Sequence, residues 1–148
     1  MIVVEDYNKN WPETFRNIRD TVSEVLGNLA ERVEHVGSTS VPGLAAKPII
    51  DIDVVISSRQ KLSEVIPALA TLGYHHQGDL GISGREAFTT PKNVPRHNLY
   101  VCDRNSRELR RHVAFRDYLR QNEETVRKYG ELKKTLAVQF SNDIKKSE

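Results

Sequence analysis

Two aspartates separated by one isoleucine, Asp51 and Asp53, lie inside a strongly apolar stretch of this 148-residue chain. Side chains in a strand alternate between its two faces, so both carboxylates would share one face. Neighbouring carboxylates repel each other and are costly to bury unpaired. A divalent cation relieves that repulsion, and a site made of oxygen ligands suits Mg²⁺ or Mn²⁺. The pattern equally allows the carboxylates to face solvent or to pair with Lys47 and an arginine.

A turn of small residues, Gly37-Ser38-Thr39-Ser40, precedes the aspartates in the sequence. A glycine directly after a strand lets the backbone approach a phosphate closely. Successive backbone N–H groups and the three hydroxyls can then surround phosphate oxygens. Lys47 lies between this turn and the carboxylates, where its charge can meet the same phosphates. A phosphate-binding turn followed by two metal-binding carboxylates predicts phosphoryl or nucleotidyl transfer.

The elements that must position these residues follow from the spacing of apolar residues. The spacing predicts strands at residues 1–4, 32–36, 49–56, 74–77 and 97–103, and helices at 12–29, 61–72, 106–121 and 123–140. This order predicts an α+β fold (α/β-type) in which helices flank a small mixed β-sheet and two helices end the chain. We expect one domain over residues 1–148. Residues 78–96 are predicted to form a long loop, a feature that is more often functional than idle.

The surfaces of the last two predicted helices indicate what these helices contact. The inner face of the last helix is expected to consist of Val126, Tyr129, Leu132, Leu136 and Phe140. The basic residues of the preceding helix are most simply a solvated face, with a patch for RNA phosphates as the alternative. They are Arg107, Arg110, Arg111, Arg116 and Arg120.

The composition restricts the classes of function. The chain has 22 basic and 20 acidic residues, so its net charge of +2 indicates neither a nucleic acid nor a membrane as a partner. Its longest apolar run is too short to cross a bilayer, and its N-terminal residues do not resemble a signal peptide. The single cysteine, Cys102, excludes an intramolecular disulfide and suits a reducing compartment. We therefore expect a cytoplasmic location.

The span from His35 to Val54 resembles the GrpB family, a branch of the nucleotidyltransferase superfamily with its polymerase-β-like fold. The superfamily pattern is a Gly-Ser turn followed, about a dozen residues later, by two acids that flank one apolar residue. Here the turn is Gly37-Ser38 and the acids are in Asp51-Ile52-Asp53. The likeness covers most of the chain through the segments GSTSVPGLAAKPIIDI, GRE, RHNLYV, FRDYLR and YGELKKTLA.

This resemblance implies transfer of a nucleotidyl group from a nucleoside triphosphate to an acceptor, with Mg²⁺ or Mn²⁺ held by Asp51 and Asp53. The acceptor, a small molecule, an RNA or a protein, is not identified. Family members also occur fused to dephospho-coenzyme A kinase, which implies a functional link to coenzyme A synthesis. The residues expected to bind the nucleotide's phosphates are Gly37, Ser38, Thr39, Ser40, Lys47 and Arg85.

The family pattern is incomplete at one position. Nucleotidyltransferases that use two metal ions usually add a third carboxylate from a neighbouring strand, but strand 97–103 has no acid in its middle. His97 is the candidate third ligand, and Asp103 or Glu86 are alternatives. Family members often have a second histidine where this chain has Tyr100. The alternative function is therefore a non-catalytic nucleotide- or RNA-binding module that retains the fold.

Overall fold

The computed structural model describes the backbone of residues 3–147 and the side chains of residues 3–140. Within these residues, five strands form one sheet and four α-helices flank it. The strands are β1 (Arg32–Val36), β2 (Ile50–Ile56), β3 (His75–Gly78), β4 (Glu86–Thr89) and β5 (His97–Asp103). The helices are α1 (Trp11–Leu26), α2 (Leu62–Ala70), α3 (Arg107–Arg120) and α4 (Glu123–Ser147).

The sheet is mixed, with the strand order β1-β2-β5-β4-β3. Strands β2 and β5 are parallel, and the other three pairs are antiparallel. The chain reaches β5 from β2 through α2 and the β3–β4 hairpin, because two parallel neighbours need a crossover connection. The structure thus confirms the predicted α+β fold with a small mixed sheet and flanking helices.

The two faces of β2 have opposite roles. Ile50, Ile52 and Val54 are almost completely buried in the main core, together with apolar residues of α1 and α2. On the other face Val55 packs against Cys102 and against Leu109 of α3. The two aspartates share this second face, as strand alternation predicts. Burial of these apolar side chains in the core therefore fixes the register of β2, and this register places both carboxylates on the face toward α3 and α4.

Strand β4 is the main element that the sequence pattern did not predict. It lies inside the predicted loop 78–96 and pairs with both β3 and β5. It has four residues, of which only Ala87 and Phe88 are buried. Two buried residues are too few for the alternating pattern that identifies a strand. The position of β4 is therefore set by pairing with its neighbours β3 and β5, which local sequence does not encode.

The ends of the chain also differ from prediction. Of the predicted strand 1–4, residues 1 and 2 lie outside the described residues, and residues 3 and 4 form no strand. The nearest pairing is a single bridge between Glu5 and Ala46. At the other end, α4 continues to Ser147 instead of ending near residue 140. No helix in residues 3–147 is long and apolar enough to cross a membrane.

The face that α4 turns to the rest of the molecule is only partly the predicted one, because Val126 is buried and Tyr129 packs against the same cluster, as predicted. Val126, Gly130 and Ala137 are buried, whereas the predicted Leu132, Leu136 and Phe140 are about half exposed. Gly130 faces Ala45, and a Cβ there would make ordinary van der Waals contact, 3.5 Å from the backbone nitrogen of Ala45. The predicted stripe is therefore packed inward only in its first part, at Val126 and Tyr129.

Candidate functional site

The turn after β1 is in direct contact with the first aspartate of β2. Gly37 has φ 73° and ψ −174°, a conformation that is accessible almost only to glycine. A Cβ on Gly37 would overlap Oδ2 of Asp51 and would lie 3.0 Å from the Asp51 Cβ. The glycine therefore permits both the shape of the turn and its close approach to the carboxylate.

The three hydroxyls of the turn have different roles. Thr39 and Ser40 are buried. The Thr39 hydroxyl is hydrogen bonded to His35 Nε2 at 2.9 Å, and the Ser40 hydroxyl donates to the carbonyl of Gly37 at 2.5 Å. These two hydroxyls thus stabilise the turn itself. We therefore place only the Ser38 hydroxyl in the candidate site.

The two carboxylates differ in burial and in partners. Asp51 is partly buried, and its Oδ1 accepts a hydrogen bond from Asn98 Nδ2 at 2.9 Å. Asp53 is completely buried, and its Oδ2 accepts from His112 Nδ1 at 2.6 Å. Oδ1 of Asp53 is also buried and has no hydrogen-bond partner among the described residues. An unpartnered buried carboxylate oxygen is costly unless a ligand satisfies it.

Asp51 and His112, the histidine that contacts Asp53, both have shifted pKa values. Burial raises the pKa of Asp51, and the charge of Asp53 raises it further, while the bond from Asn98 opposes the change. The hydrogen bond to Asp53 raises the pKa of His112 and outweighs the opposing effect of burial. The site thus concentrates negative charge that favours a neighbouring cation.

A cavity of about 720 Å³ opens beside Asp51. Its polar side includes Ser38, Lys47 and Lys133, and Lys133 Nζ donates to the Ser38 hydroxyl at 2.6 Å. Burial lowers the pKa of Lys133, although the charge of Asp51 partly offsets this effect. The opposite wall is apolar and consists mainly of Ile49, Leu136, Ala137 and Phe140. The cavity therefore combines cationic groups with a wall that can hold an apolar ring.

His97 does not lie near the carboxylates. It is paired with Ile50 in the sheet and is buried on the opposite face. Its Nε2 is hydrogen bonded to the hydroxyl of Tyr74 at 2.8 Å, and its Nδ1 to the carbonyl of Pro95 at 2.7 Å. The next residue, Asn98, is the one that reaches the carboxylates. The prediction that His97 is a metal ligand is therefore wrong. Adjacent residues of a strand point to opposite faces, and Asn98, not His97, points to the face of the carboxylates.

The two alternative third ligands do not reach the carboxylates either. Glu86 is on the α2 side of the sheet, where its Oε1 lies 3.4 Å from Arg59 Nη2. Asp103 lies at the end of β5, where its Oδ1 accepts from the backbone N–H of Asn105. Among the described side chains, those of residues 3–140, no group of three or more His, Cys, Asp and Glu residues is arranged to hold a metal ion.

Arg85 lies beside β5, away from the Gly37–Ser40 turn. Its guanidinium carbon is 4.3 Å from the centroid of the Tyr100 ring. Tyr100 is the β5 neighbour of Asp53 in the sheet. Arg85 therefore lies on the carboxylate face, but it does not line the cavity that contains Lys133.

Comparison with known proteins identifies the family. The family model described as GrpB protein matches residues 1–146. The chain belongs to the GrpB family. It is similar to the UPF0157 protein YqkA of Bacillus subtilis, with 35% identity over 138 residues, or 93% of this chain, but it spans only 40% of that relative's length. The crystal structure of the conserved protein GrpB from Enterococcus faecalis has a TM-score of 0.85 and 36% identity, covering 96% of this chain and 87% of that one.

More distant structures share the fold of this GrpB-family chain. Cid1, in complex with the UTP analogue UMPNPP, has a TM-score of 0.55 and 13% identity over 82% of this chain and 37% of that chain. Another Cid1 structure, described as a poly(U) polymerase with MgGTP bound, has a TM-score of 0.56. At such low identity these likenesses show a nucleotidyltransferase-like fold. A shorter match, 37% identical over 67 residues, is to a dephospho-CoA kinase of Mycolicibacterium paratuberculosis, of which it covers 16%.

The donor set of this GrpB-family site fits one divalent cation with an open coordination sphere. Asp51 contacts the turn, and Asp53 offers the buried, unpartnered Oδ1. Mg²⁺ is commonly bound by one or two carboxylates, with water and substrate phosphates as the remaining ligands. Two carboxylates beside the Gly37–Ser40 turn suit such an ion, whereas a closed cage of protein ligands would need more donors.

Two arginines of α3 support the turn, of which Arg116 is buried, contrary to the prediction of a solvated face, and Arg120 is exposed, as predicted. Arg116 is buried and donates to Glu34 at 2.5 Å and to the carbonyl of His35 at 3.0 Å. Arg120 donates to the carbonyl of Ser40 at 3.0 Å. One helix therefore binds backbone carbonyls at both ends of the Gly37–Ser40 turn. The other arginines of this basic run are exposed, as predicted: Arg107, Arg110 and Arg111.

Three site residues were missed by sequence reasoning. Asn98 could have been found from the register of β5, because the residue beside Asp51 must share its face. His112 lies on the buried stripe of α3, but a lone histidine on a helix carries no specific signal. Lys133 is 95 residues from its partner Ser38. Its role depends on how α4 packs, which no local pattern shows.

The buried ring of His35 predicts a loss of stability in mild acid. The ring stacks on Phe15 at 4.7 Å, and burial, with the charges of Arg120 and Arg116, lowers its pKa to about 4. The unfolded chain takes up this proton near pH 6.5, so unfolding becomes more favourable as pH falls from 6.5 to 4. The expected loss from this group is about 3 kcal/mol.

Urea titrations between pH 7 and pH 4 measure this loss in the wild type and in His35→Gln. The glutamine can still bond Thr39 but does not titrate. The variant should therefore show a shallower fall in the free energy of unfolding over this range. An equal fall in both proteins would assign the acid sensitivity to other groups.

Proposed function

We propose that this chain transfers a nucleotidyl group from a nucleoside triphosphate to the hydroxyl group of an acceptor. The observation that supports the proposal is the contact between Gly37 and Asp51, which brings the Gly37–Ser40 turn and the carboxylate pair together. The nucleotidyltransferase-like fold supports it. A turn or a carboxylate pair alone would be weaker evidence, because each occurs in many unrelated proteins.

The turn and the two lysines would bind the triphosphate. The backbone N–H groups of the turn and the Ser38 hydroxyl would contact phosphate oxygens. Lys133 and Lys47 line the same cavity and would neutralise part of the charge. The apolar wall from α4, which includes Leu136 and Phe140, would then hold the nucleobase.

The reaction would be an in-line displacement at the α-phosphorus. The acceptor oxygen forms a new bond to this phosphorus, the bond from phosphorus to the bridging oxygen breaks, and pyrophosphate leaves. The proton of the acceptor hydroxyl passes to a carboxylate of the pair. Mg²⁺ or Mn²⁺, bound by Asp51 and Asp53, would supply charge neutralisation and activate the hydroxyl. Asn98 and His112 hold the two carboxylates in place.

Removal of the Lys133 charge should weaken nucleotide binding specifically. We expect Lys133→Met to raise the Kd for a nucleoside triphosphate 10- to 100-fold, because a hydrogen bond from a charged donor contributes about 1.5–3 kcal/mol. Calorimetric titration measures this change. The matched control is Lys134→Met, because Lys134 is exposed and pairs with Asp6 instead. Equal effects of the two substitutions would contradict the assignment of Lys133.

Release of pyrophosphate tests the proposed function itself. The four common nucleoside triphosphates are incubated with Mg²⁺ and a panel of hydroxyl acceptors that includes small metabolites, short RNAs and proteins. Dephospho-coenzyme A joins the panel because of the proposed link to coenzyme A synthesis. We expect acceptor-dependent release from the wild type and none from Asp51→Asn with Asp53→Asn. Release that persists in the double variant would contradict the proposal.

The alternative is a nucleotide- or RNA-binding module without catalysis. It is favoured by the position beside Asp53 on β5, which is Tyr100 and not a third carboxylate. Metal-dependent nucleotide binding without pyrophosphate release under any condition would support this alternative. Both functions fit the predicted cytoplasmic location, which we retain as part of the proposal.

A further inference from the structure

Arg85 and the phosphate-binding turn lie on opposite sides of the carboxylate pair. The turn follows β1, on one side of β2, whereas Arg85 precedes β4 and stacks on Tyr100 of β5, on the other side. Neighbouring strands are about 4.8 Å apart, so Tyr100 lies directly beside Asp53. A nucleotide held by the turn and Lys133 would leave the Arg85 side open. An acceptor must enter from that side, because in-line attack on the α-phosphorus comes from the direction opposite to the leaving pyrophosphate.

Arg85 has no counter-charge of its own. It forms no ion pair with the residues whose side chains are described, 3–140. Its Nε is buried and lacks a hydrogen-bond partner within the same residues. The contact with the Tyr100 ring, 4.3 Å from the guanidinium carbon to the ring centroid, holds Arg85 in place, and a guanidinium presents its N–H donors as a planar fork. Such a fork matches the oxygen atoms of a phosphate or a carboxylate.

The backbone around Arg85 is fixed on both sides. The carbonyl of Gly84 accepts a hydrogen bond from the Ser106 hydroxyl at 2.7 Å. Ser106 also caps α3, where its oxygen accepts from the N–H of Leu109. Glu86 then begins β4 and is paired with Val101 of β5. Arg85 is thus held at a defined place between α3 and the sheet, unlike an arginine on a free loop.

We propose that Arg85 binds an anionic group, a phosphate or a carboxylate, carried by the acceptor of the transfer reaction. The assignment of this group to an acceptor depends on the proposed nucleotidyltransferase function. The binding of the anion by Arg85 does not depend on it. The acceptor would then carry a negative group near the hydroxyl that attacks, and Arg85 would select for that group.

Anion binding can be measured without nucleotide or metal. Glycerol 3-phosphate, glycerate and glycerol are titrated separately into the full chain in EDTA and followed by calorimetry. We expect at least one of the two anions to bind and glycerol not to bind. Arg85→Gln should weaken anion binding at least tenfold. Arg19→Gln is the control, because Arg19 lies on α1 and pairs with Asp20.

A third variant separates this site from the phosphate-binding turn. Lys133→Met should leave the affinity for the anion unchanged. Loss of binding in Lys133→Met with retention in Arg85→Gln would place the anion at the turn and overturn the proposal. Failure of both anions to bind the wild type would overturn it as well. Failure of nucleotide binding or of pyrophosphate release would count against the proposed function alone, because neither is used in this titration.

Discussion

Replacement of Asp51 by asparagine is expected to stabilise the free chain and to abolish metal-dependent nucleotide binding. Burial and the charge of Asp53 raise the pKa of Asp51, so its ionised form destabilises the folded state at neutral pH. Asparagine has nearly the same shape and can still accept from Asn98 through its carbonyl oxygen. It lacks the charge that a divalent cation requires. The affinity for a nucleoside triphosphate with Mg²⁺ should fall at least 100-fold, or about 3 kcal/mol.

The pH dependence of this stabilisation has a definite sign. The folded-state pKa of Asp51 lies above its ordinary value, so the penalty exists at pH values where the carboxylate is ionised. Asp51→Asn should therefore raise the melting temperature at pH 7, and the gain should vanish in acid, where Asp51 is protonated in both states. Melting curves and calorimetric titrations of the same preparations measure both effects.

A matched control for Asp51→Asn is Asp103→Asn. Asp103 is at the end of β5, and its side chain accepts from a nearby backbone N–H. This substitution should not raise the melting temperature and should leave nucleotide binding intact. If Asp51→Asn lowered the melting temperature while it abolished binding, general damage to the fold would explain both results. If binding with Mg²⁺ were unchanged, Asp51 would not be a metal ligand.

Replacement of Gly37 by alanine should have the second-largest effect. The backbone conformation of Gly37 costs another residue about 1–3 kcal/mol, and the new Cβ would also overlap the Asp51 carboxylate. The turn or the carboxylate must shift, and either shift separates the phosphate-binding groups from the metal ligands. We expect a loss of about 3 kcal/mol in the free energy of unfolding and no measurable nucleotide binding.

Gly78→Ala separates the two causes. Gly78 has φ 86°, but a Cβ there would have no atom within 4 Å. This variant therefore carries the conformational strain without the overlap. Urea titrations should show the smaller loss in Gly78→Ala, and calorimetry should show unchanged nucleotide binding. Equal losses of stability in the two variants, with binding retained in both, would mean that the contact between Gly37 and Asp51 is not important.

Sequence patterns predicted the fold and the centre of the candidate site because both depend on local spacing. The alternation in β2 places the isoleucines in the core and both aspartates on the other face, and the structure confirms this. Strands β1 and β2 are antiparallel neighbours in which Val36 is paired with Asp51, so the glycine that follows Val36 lies beside this carboxylate. The nucleotidyltransferase-like fold, predicted from the resemblance to the GrpB family, is confirmed by the comparisons.

The remaining parts of the site depend on packing between distant segments. Sequence spacing placed His97 near the carboxylates, but a shift of one residue along β5 moves a side chain to the other face, and Asn98 takes that place. His112 and Lys133 come from helices that pack on the sheet far from the motif in sequence. Arg116 illustrates the same limit, because a buried and an exposed arginine have the same local sequence signal.

Binding of a nucleotide in the presence and absence of metal tests the central claim most directly. The non-hydrolysable α,β-imido analogues of ATP, CTP, GTP and UTP are titrated separately into the full chain, first with Mg²⁺ and then with EDTA. We predict that at least one analogue binds with Mg²⁺, and that its affinity falls at least tenfold in EDTA and in Asp51→Asn with Asp53→Asn. Equal affinity under all three conditions, or no binding of any analogue, would contradict a metal-dependent nucleotide site built from the Gly37 turn and the two aspartates.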